Sequence, residues 1–407
     1  MSWICCQLGA REHYAIPRAL HSSEALAKFV TDFWYPPGSI SSHILPSSLK
    51  QDLRGRYHPG LANANVENLN FSALTFKIIS RIRGQSGWTK IMARNQWFQR
   101  KALRRLASYR LSAVGSQVIL FAYSYAARDI FRVAKKRGWK TVLGQIDPGP
   151  VEEQIVAEEV AREPELGATW QPAPQEYWNL WREECELADR IVVNSDWSRT
   201  CLAKAGVNSS KLSVVPLAYE PPITDTPITR EYPARFTNER PLRVLFLGQI
   251  NLRKGVGRLL KAIHVLEHEP IEFYFVGPVQ ISIPDSLRND PRLHWLGSVS
   301  RNEVNKFYRN ADLLVFPTLS DGFGLTQLEA QAHGLPVIAS RCCGEVVKHG
   351  MNGLLLDESV AEAIVEALRF CLAHPGQLAA FSAASRIEER FSIDALSQNL
   401  LALGPAP

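Results

Sequence analysis

The chain has 407 residues, 46% apolar and 21% charged, the balance of a folded protein of two or three domains rather than of a disordered one. A formal charge of +6 and a pI near 8.9 suit anionic small molecules or anionic lipid and give no basis for nucleic-acid binding. No apolar run is long enough to span a bilayer, the opening Met1-Ser2-Trp3-Ile4-Cys5-Cys6 lacks the features of a signal peptide, and an odd cysteine count without C-x-x-C reads as reduced, buried thiols; a cytoplasmic chain is expected.

Strand-like apolar runs alternate with longer amphipathic stretches, which predicts parallel α/β sheets. In chain order the first set of strands is expected at Trp3–Leu8, Phe29–Phe33, Gln117–Ala122, Thr141–Ile146, Arg190–Asn194 and Leu212–Val215. The second set is expected at Leu242–Leu247, Ile271–Val276, Leu293–Leu296, Leu313–Phe316, Pro336–Ala339 and Gly353–Leu356. Several are near-continuous apolar runs, as strands covered on both faces should be. The stretch between the two sets, Pro216 to Pro241, is rich in Pro, Thr and Arg and lacks periodicity. The expected division is therefore a first domain over 1–218, a linker over 219–241, a second domain over 242–388, and a helix and tail over 389–407 that can pack back on the first domain.

The chemistry concentrates in the second domain. A strand ending at Gly248 is followed by Gln249-Ile250-Asn251-Leu252-Arg253-Lys254-Gly255 and a helical pattern with Leu259, Leu260, Ile263 and Leu266 on one face. Adjacent cations at the carboxyl end of a parallel strand sit where such sheets bind ligands and can hold a diphosphate; taken alone, they also fit a solvated turn. Next, Leu313–Thr318 leads into Leu319-Ser320-Asp321-Gly322-Phe323-Gly324-Leu325-Thr326-Gln327-Leu328-Glu329. This reads as a strand, a glycine-containing loop and a helix starting near Leu325. Gly322 and Gly324 allow close backbone approach to a ligand, and the helix start offers N–H groups to phosphate oxygens. Glu329, one turn in, can accept from two ribose hydroxyls, and Asp321 from sugar hydroxyls.

This segment resembles the E-x7-E region of the retaining glycosyltransferases of family 4, with seven residues between Asp321 and Glu329. Arg253-Lys254-Gly255 resembles that family's diphosphate-binding turn, and Ala188–Ser195 with Val214–Leu217 is similar to the last unit of its first domain. The resemblance covers about residues 185 to 356. It implies the GT-B architecture, two Rossmann-like domains facing each other across a cleft, and transfer of a sugar from a nucleotide-diphosphate sugar to an acceptor with retention. It implies that Arg253 and Lys254 neutralise the diphosphate and the leaving group. Gly322, Phe323 and Gly324 would bind the donor sugar through backbone N–H groups, Leu325 and Thr326 the phosphates, Glu329 the ribose, while Asp321 contacts the sugar. No D-x-D occurs, so neither a metal nor another cofactor is expected. Three departures stand out: Asp321 replaces the usual Glu, Gln249 stands where many members have Arg, and the chain around Cys342–Glu345 is short. A sugar-nucleotide epimerase or phosphorylase on the same fold, or a non-catalytic partner subunit, are the alternative readings. The acceptor is open among a glycan, a lipid-linked sugar and a small molecule.

In the first domain Gly9 follows the first strand, and Gly9–Tyr14 resembles the first loop of GT-B enzymes, beside the diphosphate; an ordinary strand–helix turn fits equally. His13 and His58 are candidates to contact substrate, or plain surface residues. From Asn68 to Arg128 there is no acid, while cations recur, Arg110 among them. On a helix, Arg94, Arg100, Lys101, Arg104 and Arg105 fall together with Trp97, opposite Phe98, Ala102, Leu106 and Tyr109. Such a face can lie on anionic membrane, or simply be the solvated side of a packed helix.

Overall fold

The structure is a computed structural model that describes residues 1–37, 55–107, 109, 117–166, 170–221 and 230–404. Arg110 and the middle of the expected linker, 222–229, lie outside the described residues. The first domain holds β1 (Ser2–Gln7), β2 (Leu26–Thr31), β3 (Val66–Asn68), β4 (Val118–Tyr123), β5 (Lys140–Gly144), β6 (Arg190–Val193) and β7 (Leu212–Val214). The second holds β8 (Leu242–Leu247), β9 (Ile271–Val276), β10 (Leu293–Gly297), β11 (Leu313–Phe316), β12 (Val337–Ser340) and β13 (Gly353–Leu356). Among the described residues these form two parallel sheets, ordered β3-β2-β1-β4-β5-β6-β7 and β10-β9-β8-β11-β12-β13. Both are doubly wound sheets whose order reverses beside the first strand, between β1 and β4 and between β8 and β11. The short edge strand β3 is an element the sequence reading did not contain.

Each sheet is covered on both faces, so alternate side chains enter different cores. In β1, Ile4 and Cys6 join one cluster with Leu120 and Phe131, while Trp3 and Cys5 join another with Phe29 and Phe121. In β8, Val244 and Phe246 face one side and Leu245 the other. All seven cysteines are free thiols, and six are buried. The helix Ile393–Leu401, capped by Ser392 accepting from Ala395 N at 3.0 Å, crosses back to the first domain. There Leu396 and Leu400 enter the core of Trp3 and Phe29 against the helix Ala15–Ser22. Residues 230–241 carry neither strand nor helix and are fixed to the second domain: Arg240 forms a bidentate pair with Asp312 at 2.7 Å, and Tyr232 Oη donates to Asp312 O at 2.8 Å. No described helix is long and apolar enough to cross a membrane.

Candidate functional site

The loops after β8 and β11 meet at the point where the second sheet's strand order reverses, the usual ligand position in such sheets. After β8, Asn251 caps a short 3-10 turn by accepting from Lys254 N at 3.1 Å, and this turn projects both cations. Lys254 Nζ lies against the Asp321 carboxylate and 5.0 Å from the Phe316 ring centre. Arg253 Nη1 donates to Ser320 O at 3.1 Å and lies 3.9 Å from Asp321 Oδ1. Burial pushes the Asp321 carboxyl up, but Lys254 and Arg253 overcome it and hold it below the ordinary aspartate value. Arg253 and Lys254, adjacent to each other but distant in sequence from Asp321, therefore form one charged cluster with it.

The helix Leu325–Ala332 begins where the sequence reading put it, with Gly324 as its left-handed first flank. The clearances at the two loop glycines have a different cause from the one expected. A Cβ on Gly322 would lie 2.3 Å from Ile146 O of the first domain, and one on Gly324 2.5 Å from Phe316 Cζ. Their missing side chains admit protein neighbours, not a ligand. Gly322 O accepts from Ser195 Oγ at 2.8 Å and Ser198 Oγ at 3.2 Å, and Trp197 Nε1 donates to Ser320 Oγ at 3.0 Å, so the loop is moored on the first domain. The N–H of Phe323 bonds the Asp321 carboxylate. The short segment at Cys342–Glu345 runs alongside: Asp321 N donates to Cys342 O at 2.9 Å, and Gly344 N to Phe323 O at 2.8 Å. Thr326, next to Leu325, lies in the first turn of the same helix.

Glu329 lies on the wall of an interdomain cavity of about 410 Å³ shared with Tyr308, Glu12, His13, Tyr57 and His58. Its Oε2 accepts from Tyr308 Oη at 2.6 Å. The first loop thus faces Glu329 across the cleft, and both candidate histidines line that space; His58 Nδ1 accepts from Gly60 N at 3.1 Å. Glu12, His13 and Tyr14 are three successive non-glycine residues at φ of 50°, 50° and 63°, a concentration of backbone strain of the kind that marks functional loops. Burial pushes the Glu12 carboxyl up to about 7, against the opposing hydrogen bond from Tyr123. Gly9 is placed otherwise than expected: its N–H donates to Asp32 Oδ1 at 2.9 Å, and Asp32 also receives Arg56 at 3.3 Å and Arg94 at 3.0 Å. Its amide is committed to a buried carboxylate within the first domain, and Arg94 is drawn out of the basic face to the same group. Trp97 departs from that face as well; it is only 7% exposed, stacked on Phe76 with its Nε1 donating to Ser72 Oγ at 3.1 Å.

A second interdomain cavity, of about 600 Å³, has Arg253 in its wall. Trp88, Tyr125, Trp170 and Trp178 line it together with Asp147 and Glu152. Glu152 sits in the first turn of the helix Pro150–Arg162, 3.7 Å from Arg253 Nη1, and its Oε2 is buried without a hydrogen bond among the described residues. Burial raises its carboxyl to about 8 even though Arg253 pulls it down. Asp147 Oδ1 is fixed by Tyr125 Oη at 2.5 Å and by Gly149 N at 3.0 Å. Sequence reasoning missed this wall. The one local signal was the Ile146-Asp147-Pro148-Gly149-Pro150 turn at the carboxyl end of β5, followed by paired acids at a helix start.

Comparison with known proteins bears on the fold and the family. A family model described as glycosyl transferases group 1 matches residues 241–374. An uncharacterized 41.2 kDa protein in the cps region of Klebsiella pneumoniae is 26% identical over 196 residues, 47% of this chain and 54% of that protein. A D-inositol 3-phosphate glycosyltransferase of Rhodococcus opacus (strain B4) is 31% identical over 240 residues, 53% of this chain and 52% of that enzyme. The chain thus spans about half the length of these curated relatives. Among solved structures, Anabaena HepE in complex with UDP superposes with a TM-score of 0.61 at 14% identity, over 99% of both chains. Sucrose-phosphate synthase from Thermosynechococcus elongatus gives 0.66 at 17% identity, over 99% of this chain and 98% of that one. The fold is GT-B: two Rossmann-like domains facing each other across a cleft.

Proposed function

We propose that this chain is a retaining glycosyltransferase that moves a sugar from a nucleoside-diphosphate sugar to an acceptor hydroxyl. The observation that carries the reading is the gathering of Arg253 and Lys254 on Asp321 at the reversal point of the second sheet. Two fixed cations in a cleft only 24% and 14% exposed at their side chains stabilise a departing diphosphate far better than the same charges in water. Glu329, whose carboxylate Tyr308 orients, accepts from the ribose hydroxyls on this reading. Asp321 then turns from Lys254 toward the donor sugar. Retention rests on the resemblance of the D-x7-E segment. Uridine diphosphate is the first donor nucleotide to test, since the structurally similar HepE was solved with UDP and with UDP-glucose.

The acceptor side is the larger cavity. Its aromatic walls suit the C–H faces of a sugar ring, and its carboxylates suit hydroxyl donors. Among the described lining residues its one cation is Arg253, which the donor diphosphate claims. A neutral polyhydroxylated acceptor fits this wall better than a phosphate-bearing one. The test is release of nucleoside diphosphate from UDP-, GDP-, ADP- and dTDP-sugars, in excess chelator, with neutral glycosides or sugar phosphates as acceptors. Transfer to a neutral glycoside with the donor's anomeric configuration preserved is expected. No thermal shift and no release with any donor would overturn the reading.

A further inference from the structure

The helix Asn70–Ile82 carries, besides the residues it packs on the core, a large apolar stripe that faces away from it. At 100° per residue, Phe71, Ile78 and Ile82 fall within about 40° of one another. These residues are 84%, 59% and 79% exposed, and neighbouring Ile79 is 42% exposed. The inward face carries Ala73 and Ser80, both buried, and Leu74 and Phe76 pack partly buried against the core. A helix normally turns its large apolar stripe to the core, so a stripe held in solvent marks a contact surface.

The charge around this stripe identifies what covers it. Arg81 and Arg83 are exposed at its two flanks. The next helix, Gly87–Ala107, runs beside it, and two grooves join the two helices into one surface. One groove brings Phe71 and Ile79 together with Arg83, Arg100 and Lys101; the other brings Phe71 together with Lys101 and Arg104. Neither groove is lined by an acid among the described residues. Large apolar side chains ringed by cations, without a compensating carboxylate in the grooves, match an anionic bilayer: the cations meet headgroups and the stripe enters the acyl boundary.

We propose that the helix Asn70–Ile82, with Arg100, Lys101 and Arg104 of the following helix, seats the first domain on an anionic membrane surface. The apolar contact comes from Phe71, Ile78 and Ile82, and Trp97 remains inside as a packing residue. The same seat orients the larger cavity. Trp88 and Ile91 at the start of the second helix line that cavity, about 14–18 Å along the helix from Arg100 at 1.5 Å per residue. An acceptor held in the membrane would be presented near the cavity mouth.

The test is sedimentation of the full chain with vesicles of phosphatidylcholine, with and without phosphatidylglycerol, at low and high salt. Binding is expected only with phosphatidylglycerol, and it should fall as salt rises. Changing Arg100, Lys101 and Arg104 together to Gln should lower partitioning on the order of 100-fold. Phe71→Ser with Ile82→Ser should lower it at least about tenfold with an unchanged Tm, because both side chains are solvent-exposed in the free protein. Three results overturn the proposal. They are failure of the wild-type chain to bind anionic vesicles at low salt, binding indifferent to the Phe71 and Ile82 changes, and concentration-dependent self-association abolished by those changes in a chain that ignores vesicles.

Discussion

Replacing Lys254 by Ala tests the charged cluster most directly. The Lys254 and Asp321 side chains are 14% and 15% exposed, and they are each other's nearest opposite charge. If Lys254 transfers to the donor diphosphate, its loss removes a charge-assisted contact contributing about 1.5–3 kcal/mol. That corresponds to a roughly 10- to 150-fold rise in the Kd of the nucleoside diphosphate. The upper half of this range is expected, because Asp321 then keeps only Arg253, 3.9 Å away, and its charge faces the incoming phosphates. Asp321→Asn should do the opposite to the bare diphosphate, freeing Lys254 and leaving the Kd unchanged or lower, while transfer from the complete donor collapses. Isothermal calorimetry with UDP and the other diphosphates reads both variants, with Tm confirming that each is folded. An affinity within twofold of wild type for Lys254→Ala would refute the assignment. So would an Asp321→Asn variant that binds the diphosphate as poorly as Lys254→Ala, since Asp321 would then position the cations rather than compete for them.

Glu152 predicts a pH dependence. Its carboxyl, raised by burial from 4.5 to about 8, keeps a proton in the native state that the unfolded chain releases earlier. The native state therefore binds more protons across that window, and stability falls as pH rises through it. Glu12 and Glu184, each raised to about 7 mainly by burial, add to the same slope at lower pH. Glu152→Gln should flatten the fall in Tm between about pH 5 and 8, and a wild-type Tm that climbs over this range contradicts the assignment. For Glu329, the Ala variant should lose more affinity for a ribonucleoside diphosphate than for its 2′-deoxy analogue; equal losses would place its carboxylate away from the ribose. Trp88→Ala should raise acceptor KM severalfold and leave donor affinity untouched, and an unaltered KM would remove the larger cavity as the acceptor site.

What the sequence made legible was whatever is local along the chain. The strand Leu313–Phe316 appears with its expected bounds because double-sided burial writes it as an unbroken apolar run. β3 escaped because a three-residue edge strand ending in Glu67 and Asn68 has no such run. The Asp321–Glu329 loop and its helix were visible for the same reason of locality. Groups joined only by the fold were not. Glu152 meets Arg253 across about a hundred residues and a domain boundary, and Gly9 meets Asp32 through a neighbouring strand's end. Trp97 illustrates the limit of helical periodicity: its angle groups it with the cations, but the preceding helix supplies Ser72 and Phe76 to cover it. The exposed stripe of Asn70–Ile82 was equally hidden, since periodicity shows that a stripe exists and not which way it faces.

The charge balance of the cleft ties the two domains into one device. Asp147 and Glu152 come from the first domain; Arg253, Lys254 and Asp321 come from the second. Three carboxylates face two cations, and in a water-poor cleft the surplus negative charge is costly. Glu152 resolves this by retaining its proton to about pH 8. On the proposed function, an arriving diphosphate adds negative charge to a cluster that is already balanced. It takes the cations only if Asp321 turns from Lys254 and Glu152 stays neutral beside Arg253. The loop carrying Asp321 is moored to the first domain through Gly322 O, Ser195 and Ser198, and Glu159 of the first domain grips Arg258 at 2.9–3.1 Å. A shift of Asp321 is therefore transmitted across the interface. Donor recognition, the protonation of Glu152 and the spacing of the two domains become a single linked equilibrium.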